Sequence, residues 1–211
     1  MNVSVIIPAH QEEKYIGNTL KSVIGKDAEV IVVANACTDR TVDVARRYAS
    51  DVIEADEKGV SKARNAGARK ASGDMLVFLD ADISITEDTI RKILDSGYDI
   101  GTCYAKPDVD KIVPKMMMRI KNVAHHFGSN TGLIFCTKEL YGKVGGFDES
   151  MDFGEDGRFL RQAKALGKFG VADTYVINSM RRFEKKGYMK VLLFWIRNRF
   201  ISEKKGYEVV R

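Results

Sequence analysis

Residues 72–82 read SGDMLVFLDAD. Met75 to Leu79 is an unbroken apolar run, and it ends abruptly in Asp80-Ala81-Asp82. A strand covered on both faces needs side chains of this kind at every position, so the run predicts a buried strand of a parallel sheet. Open parallel sheets bind ligands beyond the carboxyl ends of their strands. The two carboxylates stand at that end. An isolated Asp-x-Asp is commonly a solvated turn or a helix cap; its position here gives it a second reading. Paired carboxylate oxygens suit a hard divalent cation, which takes one or two of them together with substrate phosphates.

Working outward, the preceding residues repeat strand and helix. Val3–Ile7 (VSVII) predicts a strand that Pro8 should stop, and Val30–Ala34 and Val52–Ala55 predict two more. Helical spacing covers Lys14–Ile24, Arg40–Ala49 with Asp39 placed to cap it, and Ser61–Ala71. The β-α alternation predicts right-handed crossovers in a mainly parallel central sheet flanked by helices, an α/β fold of Rossmann-like type. Beyond Asp82 the pattern loosens. Helices are expected at Glu87–Ser96, Pro114–Phe127, Lys138–Val144 and Asp156–Leu166. Strands are expected at Asp99–Ala105, Thr131–Thr137 and, as one or two, Lys168–Ser179. Met116, Met117, Ile120, Val123 and Phe127 are available for one face of the Pro114–Phe127 helix. A last helix, Gly187–Ser202, is apolar and basic.

The 211 residues suit one domain with an extension, and a chain this long buries enough surface to need no staples. With three prolines and no biased tract, disordered, collagen-like and solenoid readings drop out. The longest apolar run near the C-terminus, Val191–Ile196, is far short of the ~20 residues that span a bilayer. The N-terminus lacks the features of a signal peptide. Cys37, Cys103 and Cys136 are scattered without CxxC spacing, which predicts a reduced, cytoplasmic chain with no zinc site. The net charge of +5 is unevenly placed. Arg181–Arg211 holds ten Lys/Arg against three acidic residues, whereas the first 180 residues hold 24 basic and 26 acidic ones. The basic character therefore belongs to the C-terminal segment, which is either a solvated face or a contact for an anionic partner.

The loops to inspect follow the predicted strands: Pro8–Glu13, Asn35–Asp39, Lys58–Asn65 and Asp80–Asp82. None contains GxGxxG or GxxxxGK[ST], so dinucleotide and P-loop chemistry is disfavoured. Lys62 and Arg64 are either surface charges or neutralise a diphosphate. Glu155-Asp156 opens a helix, where acids suit the macrodipole, and a carboxylate there is also a candidate general base. His125 and His126 are adjacent and cannot share one helical face. Met116–Met118 read as core or as part of a mobile cover.

Taken in order, these pieces resemble the family-2 glycosyltransferases with the GT-A fold, over most of the chain to about Arg182. VSVIIPAHQEEKYIGNTLKSV matches the family's opening strand and nucleotide-binding loop, and EVIVVANACTDRT its second strand and turn. GVSKARNAG and SGDMLVFLDAD resemble the phosphate-side helix and the metal-binding Asp-x-Asp. GLIFCTKELYGKVGGFDES and FGEDGRFLRQAKALG resemble the acceptor side and its acidic pair.

The resemblance implies a GT-A domain over 1–182, a C-terminal helical extension over 183–211, and a nucleoside-diphosphate sugar as donor. Pro8 and Glu12 would line the nucleoside site, with Asn35 and Asp39 in the second loop. Lys62 and Arg64 would approach the diphosphate, and Asp80 the ribose or metal. Asp82 would bind Mg²⁺ or Mn²⁺. Asp156, beside Glu155, would be the base of an inverting transfer to a saccharide hydroxyl or a polyprenyl phosphate. Arg181 and Arg182 would help neutralise the departing diphosphate. Ala34 departs from the acidic residue common in the family, which leaves the base open.

Two other classes compete. A sugar-phosphate nucleotidyltransferase would carry a glycine-rich basic loop where this chain has PAHQEE. A nucleic-acid-binding module finds no recognised motif, and no nucleic-acid partner is expected. The 183–211 segment, in which Trp195 and Phe194 accompany basic residues, is expected to pack on the domain, on a second subunit as a homodimer, or on the cytoplasmic face of a membrane.

Overall fold

The computed structural model describes residues 1–49, 51–125, 132–151 and 153–191. In chain order it runs β1 (Val3–Ala9), α1 (Ile16–Val23), β2 (Glu29–Asn35), α2 (Thr41–Arg46), β3 (Asp51–Ala55), α3 (Val60–Lys70) and β4 (Met75–Leu79). Then come β5 (Ile83–Ile85), α4 (Thr89–Asp95), β6 (Ile100–Pro107), α5 (Ile112–His125), β7 (Leu133–Thr137) and α6 (Lys138–Val144). α7 (Glu155–Lys164), β8 (Phe169–Asn178) and α8 (Arg181–Lys186) complete the described residues.

The strands form one sheet in the order β3-β2-β1-β4-β7-β6-β8-β5. The first four are parallel, as the β-α alternation requires. β7 is antiparallel to both β4 and β6, β8 is parallel to β6, and β5 is antiparallel to β8. The sheet is mixed and mostly parallel. Both faces are buried. Val5 and Ile7 join one apolar cluster with α1, while Ile6, Ile31, Val33, Leu76 and Phe78 join a second under α3 and α7. That double burial is why these strands read as continuous apolar runs.

Several sequence expectations are corrected. β1 does not stop at Pro8 but runs through it, with Pro8 opposite Val33. Pairing with β4 ends at Ile6, so the missing proline N–H falls where β1 has only one neighbour. The Lys168–Ser179 stretch, expected as one or two strands, holds the single strand β8, whose pairing with β6 shifts register between Cys103 and Tyr104. The short β5 and the helix α8 were not anticipated. Of the described side chains of α5, Pro114, Met117 and Met118 are buried, while Met116, Ile120 and Val123 are exposed. Phe127, His126 and residues 192–202 of the last expected helix lie outside the described residues, as does the side chain of His125. No helix among the described residues is long and apolar enough to cross a membrane.

The sheet is brought close to α3 by small residues. Ala63, Gly67 and Ala68 are buried on it, and a Cβ on Gly67 would stand 2.3 Å from Cγ2 of Ile6. Ile6 is wholly buried in the central strand and cannot yield cheaply. Gly67→Ala should therefore lower stability by about 1–3 kcal/mol through overpacking. Urea unfolding monitored by circular dichroism should show a lower midpoint at an unchanged slope.

Candidate active site

The polar residues gather beyond the carboxyl ends of β1, β2 and β4, and two arginines organise them. Arg64 projects from α3 and is 5% exposed at its side chain. Its Nη1 donates to Glu155 at 3.0 Å and to Asp156, and its Nη2 donates to Asp80 at 3.1 Å. The guanidinium also lies 5.1 Å from the Phe147 ring centroid. Its Nε is buried and has no hydrogen-bond partner among the described residues. Burial alone would lower its pKa, but Asp156, Asp80 and Glu155 raise it above the ordinary value, so the charge is fixed.

The second arginine, Arg181, opens α8. Nη1 and Nη2 grip both oxygens of Glu12 at 2.7 and 2.6 Å, and Nε donates to Asp82 at 3.0 Å. The guanidinium stacks 4.1 Å from the Tyr15 ring centroid. Asp80 and Asp82 thus belong to different arginines. The turn between them is pinned by backbone. Thr19 Oγ1 donates to the carbonyl of Ala81 at 2.7 Å, and the Asp80 amide donates to the carbonyl of Gly132 at 2.9 Å. Gly132 has φ +92°, and a Cβ there would fall 2.8 Å from Oδ2 of Asp80, so only glycine leaves that carboxylate open.

The first two loops are tied to each other. The Gln11 side chain receives the amides of Thr38 and Asp39 and donates to the Thr38 hydroxyl. Both Gln11 (φ 57°) and Ala36 (φ 48°) adopt the left-handed region, a strain that concentrates at functional loops. Asn35 is buried, donates to the carbonyl of Ala9 and accepts from the Gly59 amide. Asp39 accepts from Thr41 and from the Glu13 amide, fixing the loop ahead of α2. A shallow cavity of about 250 Å³ opens beside them, lined by Ala34, Ala36, Cys37, Thr38, Glu54 and Asp56 among others.

Of the residues singled out in the sequence, Glu12, Arg64, Asp80, Asp82, Glu155, Asp156 and Arg181 converge on the two arginine nodes. Asn35 and Asp39 support the neighbouring loops, and Pro8 sits within β1 beside them. Lys62 instead pairs with Glu57 at the surface. Arg182, half-buried, lies close enough to Lys121 to disfavour its ammonium. Sequence reasoning missed Lys121. Burial pulls its pKa down to about 8 against the attraction of Asp80 and Asp82. The signal was a lysine on the helix face that also carries Met117 and Met118. Asn65 was missed too. It holds Phe147 through backbone N–H and C=O, accepts from the Tyr141 hydroxyl, and so locks the segment from Tyr141 to Phe147 to α3.

The donor set at Asp80 and Asp82 is oxygen only. No three His, Cys, Asp or Glu residues converge as a cage among the described residues. A cation here would draw its remaining ligands from a bound diphosphate and water, which is the habit of Mg²⁺ and Mn²⁺. The opening that Gly132 leaves at Asp80 is consistent with that.

The profile of glycosyl transferase family 2 matches residues 4–183. The poly(ribitol-phosphate) β-N-acetylglucosaminyltransferase TarS of Staphylococcus aureus is 31% identical over 102 residues, 43% of this chain and 18% of TarS. The dolichol-phosphate mannosyltransferase of Pyrococcus furiosus is 30% identical over 145 residues, 59% of this chain and 41% of that protein. The matches therefore span less than half of these relatives. The crystal structure of TarS 1–349 in complex with UDP-GlcNAc aligns with a TM-score of 0.71 at 23% identity, over 85% of this chain and 58% of that one. The mannosyltransferase PcManGT from Pyrobaculum calidifontis, in complex with GDP-Man and Mn²⁺, aligns at 0.70 and 20% identity, over 97% and 66%. At these identities the structural likeness speaks for the fold.

Glu155 supplies a pH test. Burial and the neighbouring Asp156 raise its pKa, against the pull of Arg64. The unfolded chain releases this proton near 4.5, while the folded protein keeps it to higher pH. Between pH 4.5 and neutrality the folded state thus binds more protons, and stability falls as pH rises. Glu155→Gln should flatten that fall: thermal unfolding of the metal-free protein at pH 5 and 7.5 should show a smaller drop in Tm than wild type. An equal drop would assign the slope to other groups.

Proposed function

The chain belongs to glycosyl transferase family 2, and from that premise we propose that it transfers a sugar from a nucleoside-diphosphate sugar to an acceptor hydroxyl or lipid phosphate, with inversion. The observation that carries the reading is the placement of Asp156 and Asp80 around one buried arginine, Arg64, with Asp82 two residues on held by Arg181. That arrangement sets a candidate base and a candidate metal site in fixed relation across the cleft. Residues 1–182 are assigned to the catalytic unit and 183–211 to its extension.

The nucleoside end of the donor is assigned to the Pro8–Glu12 and Asn35–Asp39 loops, with the adjoining cavity for the base. Asp82, with Asp80, would hold Mg²⁺ or Mn²⁺, which when bound offsets charge on the departing nucleoside diphosphate. For this to happen Arg181 must release Asp82. It then stands, with Arg182 and Lys62, among the cations that can pair with the diphosphate. Arg64 stays in place, because three carboxylates hold it, and orients Asp156. Asp156 accepts the proton of an acceptor hydroxyl as that oxygen attacks the anomeric carbon from the face opposite the leaving group. A lipid-phosphate acceptor is already anionic and would leave Asp156 a positioning role only. The dolichol phosphate in one relative's name and the poly(ribitol phosphate) in another's support acceptors that carry phosphate.

Two substitutions separate the roles. Asp82→Ala should abolish Mn²⁺-dependent donor turnover while circular dichroism stays that of wild type; wild-type turnover in Mn²⁺ would sink the metal assignment.

Asp156→Asn should lower kcat by about 10²–10⁴-fold with a hydroxyl acceptor, leaving donor binding nearly unchanged. Steady-state kinetics and NMR of the product anomer test this. Normal kcat, or a retained configuration, would remove Asp156 as the base.

A further inference from the structure

Nine large apolar side chains are exposed among the described residues, and five of them lie on α5: Ile112 (78%), Val113 (51%), Met116 (56%), Ile120 (48%) and Val123 (65%). A helix turns about 100° per residue. On that wheel these five fall within an arc of about 100°, since their spacings are one, three and four residues. The adjoining arc carries Lys115 and Arg119, with Lys111 one residue ahead of the helix on the same side, all exposed. The remaining arc is the inward one, with Pro114, Met117 and Met118 buried and Lys121 half-buried. α5 therefore has three faces: one packed on the protein, one apolar and open, one basic and open.

We propose that the outer face of α5 docks the protein on an anionic lipid surface, the Ile112-Met116-Ile120 side entering the headgroup boundary and Lys111, Lys115 and Arg119 meeting the lipid charge. This deepens the sugar-transfer reading, on which its link to a lipid-phosphate acceptor rests. Apolar bulk beside a basic flank is what an interfacial helix needs, because burial of the one and attraction of the other add.

The charge selects this occupant over two others. A second copy packed symmetrically on α5 would bring two rows of Lys111, Lys115 and Arg119 together, with Asp110, already paired to Lys115, as the acid at hand. The chain's own residues 192–211 carry five Lys/Arg against two Glu and would meet the same repulsion. An anionic bilayer meets no such conflict.

The geometry also relates the surface to the chemistry. Lys121, on the inward side of α5, is within electrostatic reach of Asp80 and Asp82. The lipid surface and the donor carboxylates would lie on opposite sides of one helix, about 10 Å thick. An acceptor phosphate emerging beside α5 would have to move little to reach the cleft.

The test is co-sedimentation of the 211-residue chain with phosphatidylglycerol/phosphatidylcholine vesicles and with phosphatidylcholine alone, at low and high salt. Wild type should bind the anionic vesicles at low salt and release at high salt. Lys111→Gln, Lys115→Gln and Arg119→Gln combined should cut partitioning on the order of 100-fold, at about 1 kcal/mol per charge. Ile112→Ser with Ile120→Ser should cut it about tenfold or more. A control with Arg197, Arg199, Lys204 and Lys205 each changed to Gln should bind within about threefold of wild type, on the reading that α5 supplies most of the contact. Thermal unfolding checks that each variant is folded.

Absent binding by wild type overturns the proposal. So does unchanged binding in both α5 variants, or loss confined to the C-terminal control. A wild-type dimer in sedimentation that Ile112→Ser with Ile120→Ser dissociates, without vesicle binding, would assign the face to a second copy instead. Donor hydrolysis measured without lipid keeps the two readings apart. Vesicle binding without any sugar-nucleotide turnover leaves docking standing and removes the function; turnover without vesicle binding does the reverse.

Discussion

A single buried cation organises the catalytic face. Arg64 arrives on α3, the helix that Gly67 lets approach β1, and it reaches carboxylates from two distant parts of the chain, β4 and the start of α7. Such a group is not a simple gain in stability. Desolvating a guanidinium and three carboxylates costs several kcal/mol per ion, and their mutual attraction roughly returns it. What the cluster gives is position. Removal of Arg64 would strip the counter-charge from the buried Glu155 and from the more exposed Asp156 and Asp80, which is destabilising. The fold and the proposed chemistry thus share one side chain.

Arg181 does a different job with the same chemistry. It neutralises Glu12 and Asp82 from α8 and rests on Tyr15, but at 11% side-chain exposure it lies nearer the surface than Arg64. It also has a bidentate hold on one carboxylate and a single contact to the other. The Asp82 contact is the weaker arm, so that carboxylate is the one more readily surrendered to a competing cation. On the proposed function, one arginine is a fixed frame and the other a counter-charge that gives way to the bound donor.

Much of this was legible in the sequence because the relevant signals are local. MLVFL ending in Asp80 marks a buried strand and its ligand end, and the β-α alternation fixes the parallel half of the sheet. Thr137 at the head of α6 and Gly145 behind it give ordinary caps, and there the expected bounds match. What could not be read depends on tertiary register. Pro8 looks like a terminator until β4 is seen to stop pairing at Ile6. The outward face of α5 looks like a core stripe because Met116, Ile120 and Val123 are apolar, and only packing shows that Met117 and Met118 took the inward side. Lys121 and Asn65 gave no motif; their roles come from what α5 and α3 are packed against.

The Glu12–Arg181 pair closes a loop of 169 residues. Contacts of such separation come late, because the entropy of closing the loop is paid before the contact rewards it. During synthesis the first four parallel strands and Arg64 leave the ribosome well before Arg181 does. The nascent chain therefore carries Glu12 and Asp82 well before the arginine that pairs with them is made. Order of birth separates the scaffold from its last cation: the cleft is born open, and it acquires its resting counter-charge only when the C-terminal helices emerge.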